Sequence, residues 1–476
     1  FSFGKMVYGL DRYEIAYVIN AIGNSDVLCD SIADSLLDAA LTADTTSVNN
    51  FYASIQGTTV IVFGETATSA TVNYVQTVRD AIQAAGYDDI TKGLDYNTVT
   101  VQNSIVVSPA APPPPPPSGV IATRPETFVG YSTASIFQRV PPHQAYAERM
   151  ADRLEEVRTS GMLPYLRPDG RIKVVGKYRF TDPPSPASMA GGENLVVLSK
   201  ISVEAQYDPT VPLSTVQADL RTHVVDWCVN PLVVDSSTVY DMQGCGVWSV
   251  GGPAVAPGTS GRQAMAQFYG GTFAGSCNPV SGLGPENQTR VGAMAARWIA
   301  NSIIFNGYAM RCVVFLSYKG GSSTPCSLVV SSVATNPYYS DTELKGIVEG
   351  AFDLRIGVLA DEMNLRTIAW EPTSHGGIFG NTSGPTRPWE NPKTLPPPSY
   401  PPLSKEQLAK GMSNPLIAAE SLPSMRKADD VTEHTALAGR RLHPVAPPSP
   451  PAAGAAAGGG GLVLVERKES ETELSK

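Results

Sequence analysis

The chain has 476 residues, 42% hydrophobic and 17% charged, with 43 Gly and 40 Pro. That length exceeds one ordinary domain, and the composition is globular with low-complexity additions. A formal net charge of −9 argues against a general nucleic-acid binder, which needs clustered Lys and Arg against phosphates. No basic stripe with interleaved aromatics is evident, and no apolar run approaches the roughly 20 residues of a membrane-spanning helix.

In chain order, three segments repeat one pattern of amphipathic helix, β-hairpin and second helix. The first has a helix over Asp26–Ala43, with Leu28, Ile32, Leu36, Leu37 and Ala40 on one face; that spacing is helical. Strands follow at Phe51–Ile55 and Thr59–Phe63, turned at Gly57, then a helix over Thr71–Ala85. The second has a helix over Ala145–Thr159, strands near Ile172–Phe180 and Leu195–Tyr207, and a helix over Ser214–Val229. The third has a helix over Thr289–Phe305, strands over Met310–Tyr318 and Cys326–Val333, and a helix over Asp341–Phe352. Copies this far apart are too long for a solenoid. The pattern predicts an α/β (α+β) fold of three similar βα subdomains about a pseudo-threefold axis, over residues 1–140, 141–275 and 276–394.

Two parts stand outside the repeat. Pro112–Pro117 is a hexaproline, a stiff polyproline II insert in the first subdomain. Residues 395–476 form a Pro/Gly/Ala-rich tail with no apolar periodicity for a core of its own. The six cysteines, Cys29, Cys228, Cys245, Cys277, Cys312 and Cys326, are scattered without a C-x-x-C pair. Free thiols in a reducing compartment are the expectation. Sequons at Asn287 and Asn381 are the only pointers to secretion, and such triplets arise readily by chance. The sequence opens at Phe1 rather than Met, so a processed organellar protein is expected.

A series of short segments then becomes informative. It comprises Leu28–Ala39, Gly64-Glu65, Val78-Arg79-Asp80 with Gly86-Tyr87, and Gly161–Asp169. Gly251-Gly252-Pro253, Gly261-Arg262, Tyr269-Gly270-Gly271, Ala295–Trp298, Phe352–Arg355 and Pro388-Trp389-Glu390 continue it. In this order and spacing, from about residue 20 to 394, the chain resembles the S-adenosylmethionine synthetases, whose fold has three βα subdomains.

The resemblance also implies which side chains matter. In that family methionine sulfur attacks the 5′ carbon of ATP, and the departing triphosphate needs Mg²⁺, lysines, arginine and a histidine. The family cluster Gly-His-Pro-Asp-Lys reads Gly23-Asn24-Ser25-Asp26-Val27, so Asn24 replaces the histidine and Val27 the lysine. Asp26 keeps the metal-ligand position. The potassium-ligand glutamate falls at Tyr52 and the methionine-binding glutamine at Val107. The glycine-hinged lid aligns near Arg124-Pro125-Glu126-Thr127, and a Gly-Asp pair reads Val255-Ala256. Arg262 is kept, but the following lysine is Gln263. Two further lysines become Leu283 and Asn287, and a ligand aspartate becomes Thr289. Glu65, Asp169 and a basic residue, Arg171, are retained as vestiges of nucleotide binding.

Each retained residue also suits a structural task, Asp26 at a helix start and Arg262 in an ion pair. Removing one preorganised group costs about 10²–10³ in rate. The expectation is therefore a pseudoenzyme without a cofactor, acting as a subunit of a larger protein assembly and docking through its tail and proline-rich segment. A mitochondrial location is expected, otherwise a cytoplasmic one. The alternatives are a divergent enzyme using ATP, Mg²⁺ and K⁺, or a regulatory subunit; a homodimer or a dimer with an active paralogue is also open.

Overall fold

A computed structural model describes residues 12–109, 116–181, 192–273, 275, 278–333, 339–381 and 387–396. Most of the hexaproline and nearly all of the tail lie outside these residues. Three sheets carry the fold, and each takes helices on one face; a two-strand ribbon of β4 (Asp88–Asp89) and β5 (Leu94–Asp95) accompanies them.

The first sheet has the order β11-β2-β3-β6, from β2 (Val48–Gln56), β3 (Thr59–Ala67), β6 (Thr100–Ser108) and β11 (Gly258–Thr259). Along β2 and β3 burial alternates, so Phe51, Ala53, Ile55, Val60 and Val62 point inward, the period-two signature of a half-buried sheet. Helices α1 (Ser25–Ala43) and α2 (Tyr74–Ala84) close that face. The second sheet has the order β1-β8-β9-β10, from β1 (Arg12–Asn20), β8 (Leu166–Thr181), β9 (Gly192–Tyr207) and β10 (Val239–Met242). It packs against α3 (Pro142–Thr159) and the helical run that starts with α4 (Leu213–Asp219). That run was expected as one helix over Ser214–Val229, but residues Leu220–Val225 are wound as a π-helix before Asp226–Cys228 closes it. The third sheet has the order β13-β12-β7, from β7 (Glu126–Thr133), β12 (Arg311–Tyr318) and β13 (Ser327–Val333). Its helices include α6 (Gln288–Phe305), α7 (Asp341–Ala351) and α8 (Ile356–Glu362).

The expected hairpins are present, but the sheets do not respect linear segments. β1 pairs antiparallel with β8, Asn20 opposite Arg171, although about 150 residues separate them. β7 lies beyond the first sheet in sequence, yet pairs with β12, Val129 opposite Phe315. Two of the three sheets thus take a strand from far upstream. Close approach fixes the last arrangement: a Cβ on Gly130 of β7 would sit 1.9 Å from the Ala296 carbonyl of α6. One apolar core runs through the first and third units, and a second fills the unit of β1 and β8.

Helix α1 fastens distant loops with four aspartates at four-residue spacing, which places them on one face. Asp26 accepts from Thr259 N at 3.0 Å and Asp30 from Gly261 N at 2.5 Å. Asp34 accepts from Gly282 N at 2.8 Å and pairs with Arg290 at 2.5 Å, both side chains being buried. Asp38 accepts from Trp370 N and Glu371 N, each at 2.8 Å. Burial pushes the Asp38 carboxyl up to about 6 and that of Asp30 to about 7. A second buried pair joins α6 to the turn Pro388–Glu390: Arg297 meets Glu390 at 2.8 and 3.0 Å and also donates to the Tyr131 carbonyl.

Two stability outcomes follow from these contacts. Arg297→Met leaves the Glu390 carboxylate buried without its cation, and should cost about 3–5 kcal/mol in denaturant unfolding. For Asp30 the folded carboxyl holds its proton to about pH 7, whereas the unfolded chain ionises near 4. Its contribution is therefore complete below about pH 4 and is lost as pH rises towards 7. Asp30→Asn keeps an acceptor for Gly261 but cannot ionise. Between pH 5 and 8 the variant should gain on the wild type by on the order of 1–3 kcal/mol, read as the shift in denaturation midpoint. A gap of the opposite sign would show that Asp30 is stabilised as the anion.

Candidate functional site

The residues singled out from the sequence collect in two groups. The first lies where α1 begins. Asn24 is the N-cap of α1, its Oδ1 accepting from Asp26 N at 3.1 Å. Val27 is buried in the helix underside. Asp26, besides holding Thr259, meets Arg262 Nε at 2.7 Å. Arg262 opens the short helix α5 (Arg262–Gln267) and also donates to the Pro257 carbonyl. The next residue, Gln263, accepts from Asn20 Nδ2 at 2.9 Å. Asn20 faces Arg171 across the β1–β8 ladder. Arg171 in turn pairs with Glu204 at 3.2 Å and stands 5.4 Å from the Trp248 ring centre.

Asp169 sits behind this rim, 6% exposed. It accepts from Gly252 N at 2.6 Å and Gly170 N at 2.8 Å, and burial raises its carboxyl pKa. Gly252 has φ +57°, and a Cβ there would lie 1.9 Å from the Tyr87 hydroxyl, which donates to the Gly23 carbonyl at 2.6 Å. Three of the segments that carry the resemblance, around residues 23, 87 and 252, converge in this knot. Val255 is exposed, and the Ala256 carbonyl accepts from Ser25 Oγ at 2.7 Å.

The second group lies at the start of α6. Asn287 is its N-cap, accepting from Thr289 N at 3.0 Å, and its side-chain amide donates to Asn50 at 2.9 Å. Leu283 is buried and bridges to Asn50. Asn50 is the cross-strand partner of Glu65, which is exposed. The stretch aligned with the lid is not loop throughout: Glu126 and Thr127 open β7. Glu126 is buried and accepts from Gln288 at 2.7 Å and from Thr289 at 2.9 Å, while Arg124 donates to Thr289. Tyr52 stacks on Phe63 with ring centres 5.6 Å apart, and Val107 is exposed on the edge strand β6. Among the described residues no hydrogen bond or ion pair joins the first group directly to the second.

ATP with Mg²⁺ and K⁺ is what the resemblance implies, and the donor set does not match it. Both arginines of the first group already face a carboxylate, Arg262 at Asp26 and Arg171 at Glu204. Asp26 is committed to Thr259 and Arg262. Among the described residues no three His, Cys, Asp or Glu side chains converge to hold a metal. Asn24 and Asn287, at positions of a histidine and a lysine in the resemblance, each spend the side-chain oxygen on capping a helix.

Sequence reasoning missed two features. The first is a basic row, Arg171, Lys173, Lys177 and Arg179, on the face of β8 turned away from α3. Its signal was the period-two alternation of Arg171–Arg179. The interleaved Tyr178 turns inward against His143 instead. Glu14, Glu204 and Asp241 stand across from Lys177, Arg171 and Lys200. The second is a buried polar knot on α3. His143 lies between the Tyr178 hydroxyl (2.6 Å) and the Gly270 carbonyl (2.9 Å), and burial lowers its pKa to about 4. Glu148, one turn on, accepts from Gln144 at 2.9 Å, and burial raises its carboxyl pKa well above the usual range. The second left no local signal, because the burial of His143 and Glu148 depends on what packs opposite.

Comparison with known families agrees with the geometry along the chain. Residues 19–109 match the N-terminal domain of S-adenosylmethionine synthetase, 123–248 its central domain and 250–391 its C-terminal domain. The sheets just described are the mixed α/β, three-unit architecture of that fold. With all three domains matched in order over most of its length, the chain belongs to the S-adenosylmethionine synthetase family.

Proposed function

We propose that this member of the family is non-catalytic and serves as a structural subunit of a larger protein assembly, in mitochondria rather than the cytoplasm. One observation carries the reading. The charged side chains retained at the vestigial site, Asp26, Arg262, Arg171 and Asp169, are each engaged by the protein itself. A triphosphate leaving group needs cations aimed at the charge that develops, not cations already neutralised. The asparagines at 24 and 287 contribute helix caps, each worth about 1 kcal/mol, where positive charge would be needed. Retention of the Asp26–Arg262 pair and of Glu65 favours the rival reading of a divergent adenosyltransferase, or a regulatory subunit bound to an active one. In the proposed role the tail and the proline-rich segment dock partner proteins, the stiffness of polyproline II reducing the entropy lost on docking.

Incubated with ATP, methionine, Mg²⁺ and K⁺, the purified protein should form no S-adenosylmethionine above a catalyst-free control. Product that disappears in Arg262→Ala would overturn the proposal. Ligand at 100 times its Kd adds about 2.7 kcal/mol of stability, so millimolar Mg-ATP should leave the melting curve unmoved. A shift of several degrees would restore nucleotide binding. Cutting the chain after Pro402 should leave its melting temperature nearly unchanged and abolish incorporation into the assembly. Normal incorporation of the shortened chain would remove the tail from the proposed role.

A further inference from the structure

Residues 122–127 are fastened to the third unit from two sides. Ala122 is buried, its N–H donating to the Ser322 carbonyl at 2.9 Å and its carbonyl accepting from Gly321 N at 2.8 Å, both in the loop between β12 and β13. Gln288, the first residue of α6, then takes up the next two residues with one side-chain amide. Its Oε1 accepts from Thr123 N at 2.6 Å and from Arg124 N at 3.2 Å, and its Nε2 donates to the Arg124 carbonyl at 3.0 Å. The stretch thus has its backbone groups paired before β7 begins at Glu126.

At the end of this stretch the Glu126 carboxylate enters a cradle of donors, its side chain 3% exposed. It accepts from Thr289 Oγ1 at 2.9 and 3.0 Å, from Gln288 Nε2 at 2.7 Å and from Asn278 Nδ2 at 2.5 Å. Arg124 brings its Nε to 3.5 Å and also donates to Thr289 Oγ1 at 2.9 Å, which turns the hydroxyl proton towards Glu126. The first turn of a helix carries partial positive charge, and hydrogen bonds to an ionised acceptor are the strong kind. Among the described residues no second carboxylate hydrogen-bonds into the cradle. The donors that a free anion would use there are spent on an anion carried by the chain itself, within the second group of site residues.

We propose that Glu126 is a tethered anion that plugs the start of α6, an autoinhibitory contact built into the fold, with Gln288 as the latch that keeps residues 122–127 in place. While the latch holds, a free carboxylate or other small oxyanion has no donors left at this group. The proposal deepens the non-catalytic reading and rests on it, but it concerns anion access alone and involves no turnover.

Chemical rescue with formate, the smallest carboxylate, tests it on the full chain, with sodium chloride at equal ionic strength as the reference. Glu126→Ala should melt below the wild type, and formate should raise its melting temperature by several degrees, since a ligand that binds only the folded state stabilises it by mass action. The wild type, and Glu126→Gln with the cradle still filled, should not respond. An equal response of the wild type would show the cradle already open, and no response of Glu126→Ala would show that it takes no free anion; either overturns the proposal. Hydrogen exchange decides the matter even if Glu126→Ala does not fold. In the wild type the Thr123 and Arg124 amides should exchange as slowly as those of β7, and Gln288→Ala should speed these two by about tenfold or more with β7 unchanged. Fast exchange of the two amides in the wild type, or slow exchange that survives Gln288→Ala, removes the latch and the proposal with it. None of these readouts measures S-adenosylmethionine, so the plug can fail while the non-catalytic reading stands, and product formation would sink that reading without altering the formate result.

Discussion

Everything near the candidate site depends on one helix face. Asp26, Asp30, Asp34 and Asp38 follow each other at four-residue spacing along α1, and each receives backbone donors from a loop more than 200 residues away. Carboxylates accepting backbone N–H bonds are strong anchors when ionised and costly when buried without partners. The helix resolves this unevenly. Asp34 has a buried arginine, which itself lies 3.8 Å from the Trp370 ring centre, whereas Asp30 has only dipoles and holds its proton to about 7. The first rung, Asp26, is the residue the resemblance assigns to metal. Here it acts like the other three.

The two helix caps follow the same pattern of contacts within the chain. A helix start exposes unpaired N–H groups and a partial positive charge, so it suits either an anionic ligand or a side-chain cap. At both α1 and α6 an asparagine takes the second option. Such a cap stabilises the fold whether or not a nucleotide is present. The same holds for Asp169, whose acceptors are consumed by Gly170 and Gly252. The fold around the site is held in this way by the protein's own contacts, because Asp26, Arg262, Arg171 and Asp169 each have a partner within the chain.

The three units are also interlocked. β1 belongs by sequence to the first and by hydrogen bonding to the second, and β7 completes the third. Non-local pairing of this kind carries a loop-closure cost before its contacts form. It also makes the units difficult to separate, since cutting between them would strip a strand from a neighbouring sheet. The buried Arg297–Glu390 pair closes the last of them, joining two segments that were recognisable in the sequence as separate motifs.

Local pattern alone was enough for the helices and hairpins whose periodicity is strong: α1, α3, α6 and α7 begin and end within a few residues of the expected positions. The motif series was legible too, because short segments in fixed order identify a fold without any knowledge of contacts. β1, β6 and β7 escaped that reading, since their faces are set by partners far along the chain. The π-helical turn at Leu220–Val225 likewise leaves no mark in the apolar spacing. At the site, the sequence determined which side chains are present and which are replaced. Only the tertiary structure decided what the survivors do. Whether Arg262 faces a ligand or Asp26, and whether Asn287 reaches outward or caps α6, are questions of geometry between segments distant in sequence. Residue identity fixes the charge a group carries, and packing fixes what neutralises it.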